Sequence, residues 1–414
     1  MQSAEIIAIG SELLTPEKTD TNSLWLTEQL NELGIEVLLK TIVGDDEERM
    51  LESIRDALKR SDIVIATGGL GPTEDDLTRQ VSAKAVDSEL EFHPELEQHL
   101  RERFRAWGRE MPEINKRQAY VISGSTILPN PNGSAVGMML EKDGKLLIVL
   151  PGPPRENQPM FTDHVLPALR SRVGKVIVKR RILRVSGMGE SAVDSAIAPI
   201  YTRYRTVRTA ILFNKTEVEV HLYAKAESEQ DALDVLERLS TELVEALGIA
   251  VFTTEGETME QVVGRMLIDA GETVSVAESC TGGLIGRRIT EVPGASNYFL
   301  EGCITYSNEA KIRTLEVPRV TIESFGAVSP ETAEAMALGM LKRSGSDHAI
   351  SVTGIAGPDG GSEEKPVGTV YIGYAKGDET RSIRVVLPGD RYLIRWRASQ
   401  AALDYLRRQM LKTA

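Results

Sequence analysis

Three times in this chain an apolar strand runs straight into a glycine-rich turn. Residues 62–67 lead into Gly68-Gly69-Leu70-Gly71-Pro72-Thr73. Residues 273–277 lead into Glu278-Ser279-Cys280-Thr281-Gly282-Gly283, and residues 348–352 into Thr353-Gly354-Ile355-Ala356-Gly357. A strand that stops at glycines and restarts as a helix is the turn of an α/β sheet, where ligands sit at the carboxyl ends of the strands. The chain is 414 residues long, enough for several such domains.

In the first third, apolar strands at 5–9, 36–43 and 62–67 alternate with helical patterns at 22–33 and 47–59. This βαβαβ order predicts a parallel, doubly wound sheet. The loop at 68–78 is its strongest local signal. Its glycines permit close backbone approach, Thr73 and Thr78 offer hydroxyls, and Glu74, Asp75 and Asp76 place three acids in a row. Carboxylates beside a phosphate-sized glycine loop make chemical sense if a divalent metal bridges them. The same acids also suit the start of a helix, where they complement its dipole. Two turn-rich stretches, 130–134 and 150–156, either close the same crevice or act as stiff connections.

The middle of the chain, residues 171–255, reads as a small α+β module. Strands are expected at 176–185, 209–214, 217–224 and 249–253, with helices at 190–199 and 232–247. Residues 258–414 add a helix at 259–269, the Ser279 turn with a helix at 284–290, and a strand at 302–305. A helix at 331–342, strands at 348–352 and 368–374, and an arginine-rich helix at 391–407 complete it.

Charge and cysteine usage exclude several classes. A formal net charge of −13 opposes general nucleic-acid binding, which depends on neutralising phosphates. The basic run at 175–184 fits a solvated strand face. Cys280 and Cys303 are the only cysteines, so neither a disulfide framework nor a zinc cluster is expected, and a reducing cytoplasm is. No apolar run approaches the ~20 residues of a membrane span. The first residues resemble a buried strand more than a signal peptide. The five histidines, His93, His99, His164, His221 and His348, lie outside the glycine-rich turns. A Ser-His-Asp hydrolase is therefore disfavoured and a lysine base favoured.

That base is available. If the three C-terminal strands share a sheet, their ends bring Ser279, Tyr306 with Lys311, and Thr353 to one edge. Ser279 would attack a carbonyl, and Lys311, its pKa lowered by burial and neighbouring positive charge, would take the hydroxyl proton. Tyr306 would relay that proton or orient the lysine, and Glu278 would hold a polar substrate group or Lys311. Backbone N–H groups of Thr281, Gly282 and Gly283, or of Gly354, Ala356 and Gly357, would bind substrate and stabilise an oxyanion. Each residue also has a structural reading: a helix cap for Ser279, a solvated helix face for Lys311, packing for Tyr306 and a turn cap for Thr353.

The motifs carry a family resemblance. Gly10-Ser11-Glu12-Leu13-Leu14, Asp20-Thr21-Asn22-Ser23, the 68–78 loop and the 150–156 turn resemble the N-terminal domain of the CinA (competence/damage-inducible protein A) family, itself similar to the molybdopterin-binding domain of molybdenum-cofactor enzymes. Leu70 departs from that pattern, standing where the cofactor enzymes usually have threonine. For CinA proteins the resemblance implies instead an ADP-ribose pyrophosphatase using a divalent metal (Mg, Mn or Co). Its candidate metal or acid/base carboxylates are Asp45, Asp75, Asp76 and Glu156. Its candidate ligand contacts are Ser11, Asn22, Gly69 and Gly71, with Thr73 in the same loop. The middle module resembles the family's K-homology-like insert, although Gly187-Met188-Gly189 is too short for the GxxG clamp of an RNA binder. A spacer or oligomerisation element is the expectation there.

Residues 277–283, 304–311, 326–329 (Gly-Ala-Val-Ser), 352–357 and 368–370 resemble the C-terminal CinA domain, the nicotinamide-nucleotide amidohydrolase family. That resemblance implies metal-free deamidation of nicotinamide mononucleotide. The catalytic serine, tyrosine, lysine and threonine fall on Ser279, Tyr306, Lys311 and Thr353, with Arg391 and Arg395 as phosphate ligands. The expected whole is a cytoplasmic, homodimeric, bifunctional pyridine-nucleotide salvage enzyme without membrane or nucleic-acid partners. Its domains would be residues 1–170, 171–255 and 256–414. The rival readings are an N-terminal module that binds a nucleotide without cleaving it, and a competence or DNA-damage factor acting through macromolecular contacts.

Overall fold

The computed structural model describes residues 2–173 and 177–413. The expected beginnings of the middle strand at Val176 and of the basic run at Lys175 lie outside the described residues. The chain is mixed α/β throughout and divides into two compact units. One holds residues 1–179 and 224–234, the other 180–223 and 235–414.

The first unit is built on a six-stranded sheet. Ser3–Ile9 runs parallel between Glu36–Val43 and Ile63–Thr67, and Ile63–Thr67 is parallel to Lys145–Leu150. The three inner strands are apolar nearly end to end because helices cover both faces, the pattern of buried parallel sheets. Helices Asn22–Glu32 and Glu47–Arg60 supply the crossovers. Asp46 caps the second by accepting the Arg49 N–H at 2.9 Å. The expected doubly wound order is therefore present over this stretch. Unforeseen were the fourth parallel strand, Lys145–Leu150, and the two antiparallel strands that complete the sheet, Gly137–Lys142 and Thr126–Leu128. The register of Gly137–Lys142 against Lys145–Leu150 follows from Asp143-Gly144, whose positive φ values of 52° and 76° make the tight turn of a two-residue hairpin.

The second unit contains most of a four-stranded sheet ordered Val207–Asn214, Glu217–Ala226, Ile177–Ser186, Val251–Thr253. The basic residues of Ile177–Ser186 meet carboxylates: Arg181 with Glu237 at 2.5 Å, and Arg184 with Glu217 at 2.5 Å and Glu219 at 3.2 Å. These guanidiniums are thus paired internally, where a freely solvated face was expected.

The unit's larger sheet is ordered Phe299–Ile304, Val274–Glu278, His348–Gly354, Thr369–Lys376, Glu379–Val386. The first three strands are parallel and the last two antiparallel. Helices Met259–Ala270 and Arg391–Thr413 help close one face and Pro330–Ser344 the other. His348, one of the histidines outside the glycine-rich turns, is fully buried. Its Nε2 lies 2.7 Å from Glu272 and its Nδ1 2.8 Å from the Tyr374 hydroxyl, and burial lowers its pKa. This network sits at the amino-terminal end of the strand, away from the glycine turns.

One close approach decides where the short helix Asn308–Leu315 lies. A Cβ at Gly339, inside Pro330–Ser344, would stand 1.9 Å from the Leu315 carbonyl oxygen. Alanine normally stabilises a helix interior over glycine by about 1 kcal/mol. Here we expect the opposite sign: Gly339→Ala should destabilise the chain by about 1–3 kcal/mol, the usual range for overpacking, read as a lower urea midpoint.

Candidate functional site

The register of the three parallel strands brings the glycine turns together. Glu278 pairs with Ile304 on one side and Val352 on the other, so Ser279, Thr305 and Thr353 stand at one level at this edge of the sheet. The Ser279 N–H is held by the Val352 carbonyl at 2.9 Å, and the Thr305 N–H by the Glu278 carbonyl at 2.8 Å. These two bonds fix the backbone on both sides of the nucleophile position.

Lys311 completes the group. Ser307 caps helix Asn308–Leu315 by accepting the Ala310 N–H at 3.1 Å, and this starts the helix so that Lys311 falls in its first turn. From there the lysine folds back over the strand end and is only 1% exposed. Its Nζ lies 3.0 Å from Ser279 Oγ, 2.9 Å from the Thr305 carbonyl and 3.3 Å from the Tyr306 carbonyl. No carboxylate pairs with it among the described residues, and burial lowers its pKa. Ser279 is 8% exposed. The neighbouring Cys280 is buried and its thiol is pushed up to about 12 by that burial, so near neutrality it stays protonated and is no nucleophile. The backbone N–H of Thr281 finds no acceptor among the described residues, and that of Cys280 meets only its own thiol, so both are available to a developing oxyanion.

Several expected roles need correction. Glu278, expected to hold substrate or Lys311, is 1% exposed and accepts from three backbone N–H groups, those of Gly283 (3.0 Å), Ile285 (3.1 Å) and Gly286 (2.8 Å). It seals the start of helix Leu284–Thr290, a structural task. Tyr306, expected to use its hydroxyl on the lysine, turns that side chain outward. The hydroxyl accepts from Arg391 at 2.8 Å, and it is the Tyr306 carbonyl that orients Lys311. The buried Thr353 donates its hydroxyl to the Ala327 carbonyl at 2.6 Å. Arg391 also donates to the Gly357 carbonyl at 2.7 Å, and Arg395 to the Thr281 carbonyl at 2.7 Å. Both arginines border the turns, and neither has a carboxylate partner among the described residues. Gly282 and Gly283 have φ values of +60° and +92°; a side chain at Gly283 would press on Ile304. Gly354 allows the close approach of Thr369 and Val370. Ala356 lies in the apolar core. The lysine-orienting carbonyls of Thr305 and Tyr306 were not foreseen; the Ser307 cap was the available clue.

In the first unit the glycine loop is tightly built. A Cβ at Gly68 would stand 2.1 Å from the Ile9 carbonyl oxygen, and one at Gly69 2.2 Å from the Thr78 hydroxyl. Leu70 is buried in the apolar core, so the position where the cofactor enzymes carry a hydroxyl is greasy here. Asn22 is buried and donates to the Gly152 carbonyl at 2.6 Å, which ties the 150–156 turn to the crevice.

The expected metal carboxylates are separately engaged. Asp45 accepts the Ser11 N–H at 2.8 Å, and Asp76 accepts the Thr73 N–H at 2.9 Å and its hydroxyl. Glu156 accepts from Asn130 at 2.8 Å. Asp75 is exposed. Among the described residues no three His, Cys, Asp or Glu side chains are grouped to hold a metal ion. As a set, Asp45, Asp75, Asp76 and Glu156 do not fit a protein-made cage for a divalent cation. Gly71 comes so near Asp76 that a Cβ there would stand 2.3 Å from Oδ2, a closeness that serves the loop's own fold.

Comparison with known proteins bears on both units. Residues 256–410 match the family model described as "CinA C-terminal domain", residues 5–171 that of a "Probable molybdopterin binding domain", and residues 180–253 a "Damage-inducible protein CinA KH domain". A CinA-like protein of Solibacter usitatus is 47% identical over 407 residues, covering 98% of each chain. The chain belongs to the CinA family. A CinA-like protein of Koribacter versatilis is 46% identical, covering 99% of this chain and 100% of its own. Among solved structures, the competence/damage inducible protein CihA of Agrobacterium tumefaciens is 39% identical over 38% of this chain and 98% of its own, with a TM-score of 0.35. The CinA fold class is thus a molybdopterin-binding-like α/β domain, a KH domain and a C-terminal CinA domain. No helix among the described residues is long and apolar enough to cross a membrane.

The reassignment of Glu278 has a direct test. Glu278→Gln should lower stability by about 1–3 kcal/mol through loss of charge-assisted acceptance at a buried helix start. Thermal unfolding would reveal it, and a substrate-binding carboxylate would leave the melting temperature unmoved.

Proposed function

We propose that the C-terminal CinA domain is a serine amidohydrolase whose general base is Lys311. The observation that carries this reading is the 3.0 Å contact between Ser279 Oγ and a buried lysine Nζ that has no counter-ion among the described residues. A neutral amine has two N–H donors and one lone pair. The Thr305 and Tyr306 carbonyls take the two donors, which leaves the lone pair for the Ser279 hydroxyl proton. Ser279 Oγ attacks the carboxamide carbon, the carbonyl oxygen becomes an oxyanion facing the Cys280 and Thr281 N–H groups, and Lys311 returns the proton to the departing nitrogen as ammonia leaves. Water, deprotonated by the same lysine, then releases the acid from Ser279.

The charge balance supports an anionic substrate. Arg391 and Arg395 border the site without carboxylate partners among the described residues, while the buried carboxylate beside them, Glu278, is engaged by its helix. A phosphorylated amide supplies the missing negative charge. Together with the family resemblance this favours nicotinamide mononucleotide, deamidated to nicotinate mononucleotide.

The assay is ammonia release from nicotinamide mononucleotide in EDTA. We expect turnover in the intact chain and a loss of at least about a thousandfold in Ser279→Ala and in Lys311→Met, the scale seen when a nucleophile or its base is removed. Since the base acts unprotonated, kcat/KM should rise with pH through the Lys311 pKa and then level off. Burial places that midpoint below the ordinary lysine value of about 10.4. No activity in the intact chain would overturn the reading.

For the N-terminal domain we propose a nucleotide pyrophosphate as ligand, with ADP-ribose as the substrate to test. The glycine loop, whose backbone admits no side chain at Gly68 or Gly69, favours this. A divalent cation there would need the ligand's own phosphate oxygens to complete its shell, since the carboxylates do not gather. AMP release from ADP-ribose on addition of Mg, Mn or Co would establish a pyrophosphatase. Saturable ADP-ribose binding without AMP release would make the domain a binding module. We further propose a cytoplasmic homodimer with no nucleic-acid partner.

A further inference from the structure

The Gly326-Ala327-Val328-Ser329 stretch, singled out in the sequence, has no part in the chemistry above. Its backbone is nonetheless held in an unusual way. Four consecutive carbonyls each accept a side-chain donor. Gly326 takes the Ser329 hydroxyl at 3.0 Å and the Thr332 hydroxyl at 2.8 Å, and Ala327 takes the Thr353 hydroxyl at 2.6 Å. Phe325 at 3.4 Å and Val328 at 2.8 Å both take the Lys365 ammonium. Irregular backbone leaves carbonyls that must find donors, but four in a row served by three separate elements amount to a clamp.

Lys365 reaches this segment from the excursion between the strands His348–Gly354 and Thr369–Lys376. That excursion is closed at its base by the Ile355–Gly368 backbone pair and tightened by a turn in which Ser362 N–H meets the Lys365 carbonyl at 2.9 Å and Lys365 N–H meets Ser362 Oγ at 3.0 Å. Its ammonium has no carboxylate partner among the described residues. A half-buried cation held by neutral carbonyls fixes geometry more than it adds surface charge. The clamped segment adjoins Thr353, which stands level with Ser279.

We propose that Lys365 is a positioning residue of the amidase site. It fastens the 355–368 excursion to segment 325–328 and, through the Ala327–Thr353 bond, holds both as a wall against which the substrate sits. This rests on the amidohydrolase reading.

The test compares the intact chain with Lys365→Met, which keeps the stem and removes the donors, and Lys365→Arg, which restores them. Kinetics use nicotinamide mononucleotide, and amide hydrogen exchange is followed over residues 326–329. In Lys365→Met we expect KM to rise about ten- to a hundredfold, the scale of one lost charge-assisted hydrogen bond, with faster exchange in the segment. Lys365→Arg should recover most of both. An active intact chain with unchanged KM in Lys365→Met, whether kcat holds or falls, would overturn the inference alone, since a partly unfolded variant loses kcat and leaves KM. An inactive intact chain would overturn the amidase reading and this inference with it.

Discussion

A lysine ammonium buried among neutral oxygens is costly, and the C-terminal unit is arranged around that cost. Burying an unpaired charge is unfavourable enough that a group tends to shift its pKa instead. Burial therefore presses Lys311 toward the neutral amine that a base requires. The two carbonyls that accept from it belong to the residues directly following a strand. The lysine's orientation is thus inherited from the sheet and not from a mobile side chain.

The dependence runs outward in steps. The parallel register levels Ser279 with Thr305 and Thr353. The Ser307 cap fixes where the lysine's helix begins, and the missing Cβ at Gly339 lets that helix lie against its neighbour. Each step is a backbone constraint, which suits a site whose reacting atoms must keep their spacing within a fraction of an ångström.

Much of this was legible from residue order. Strands ending in glycine turns announced two α/β units, and the convergence of Ser279 with Lys311 followed once the strands shared a sheet. The hairpin of Gly137–Lys142 with Lys145–Leu150 and the strand Glu379–Val386, which pairs back on Thr369–Lys376, were not foreseen; their turns, Asp143-Gly144 and Gly377-Asp378, were local signals, but the strands lack a clean alternation of apolar and polar residues. Other errors were of a kind that spacing cannot resolve. Glu278 reaches N–H groups five to eight positions ahead, outside the three-residue spacing of an ordinary cap, because two glycines intervene. Nothing in the spacing of Tyr306 and Lys311 says that the carbonyl, not the phenol, meets the amine. In the other unit, the acids at 74–76 disperse: Glu74 is drawn to Arg117, 43 positions away, while Asp76 folds back on Thr73. A run of like charges in sequence is no evidence that their oxygens face one point.

The three N–H groups gathered by Glu278 have a consequence for how a substrate can lie. The start of a helix is the place where a phosphate usually docks, and here the protein has filled that berth with its own carboxylate. On the proposed reading, an incoming phosphorylated amide would be turned away from it by like charge and drawn to the guanidinium side, toward Arg391 and Arg395. The internal carboxylate would thereby act as a polarity key, setting which end of a two-ended molecule enters first.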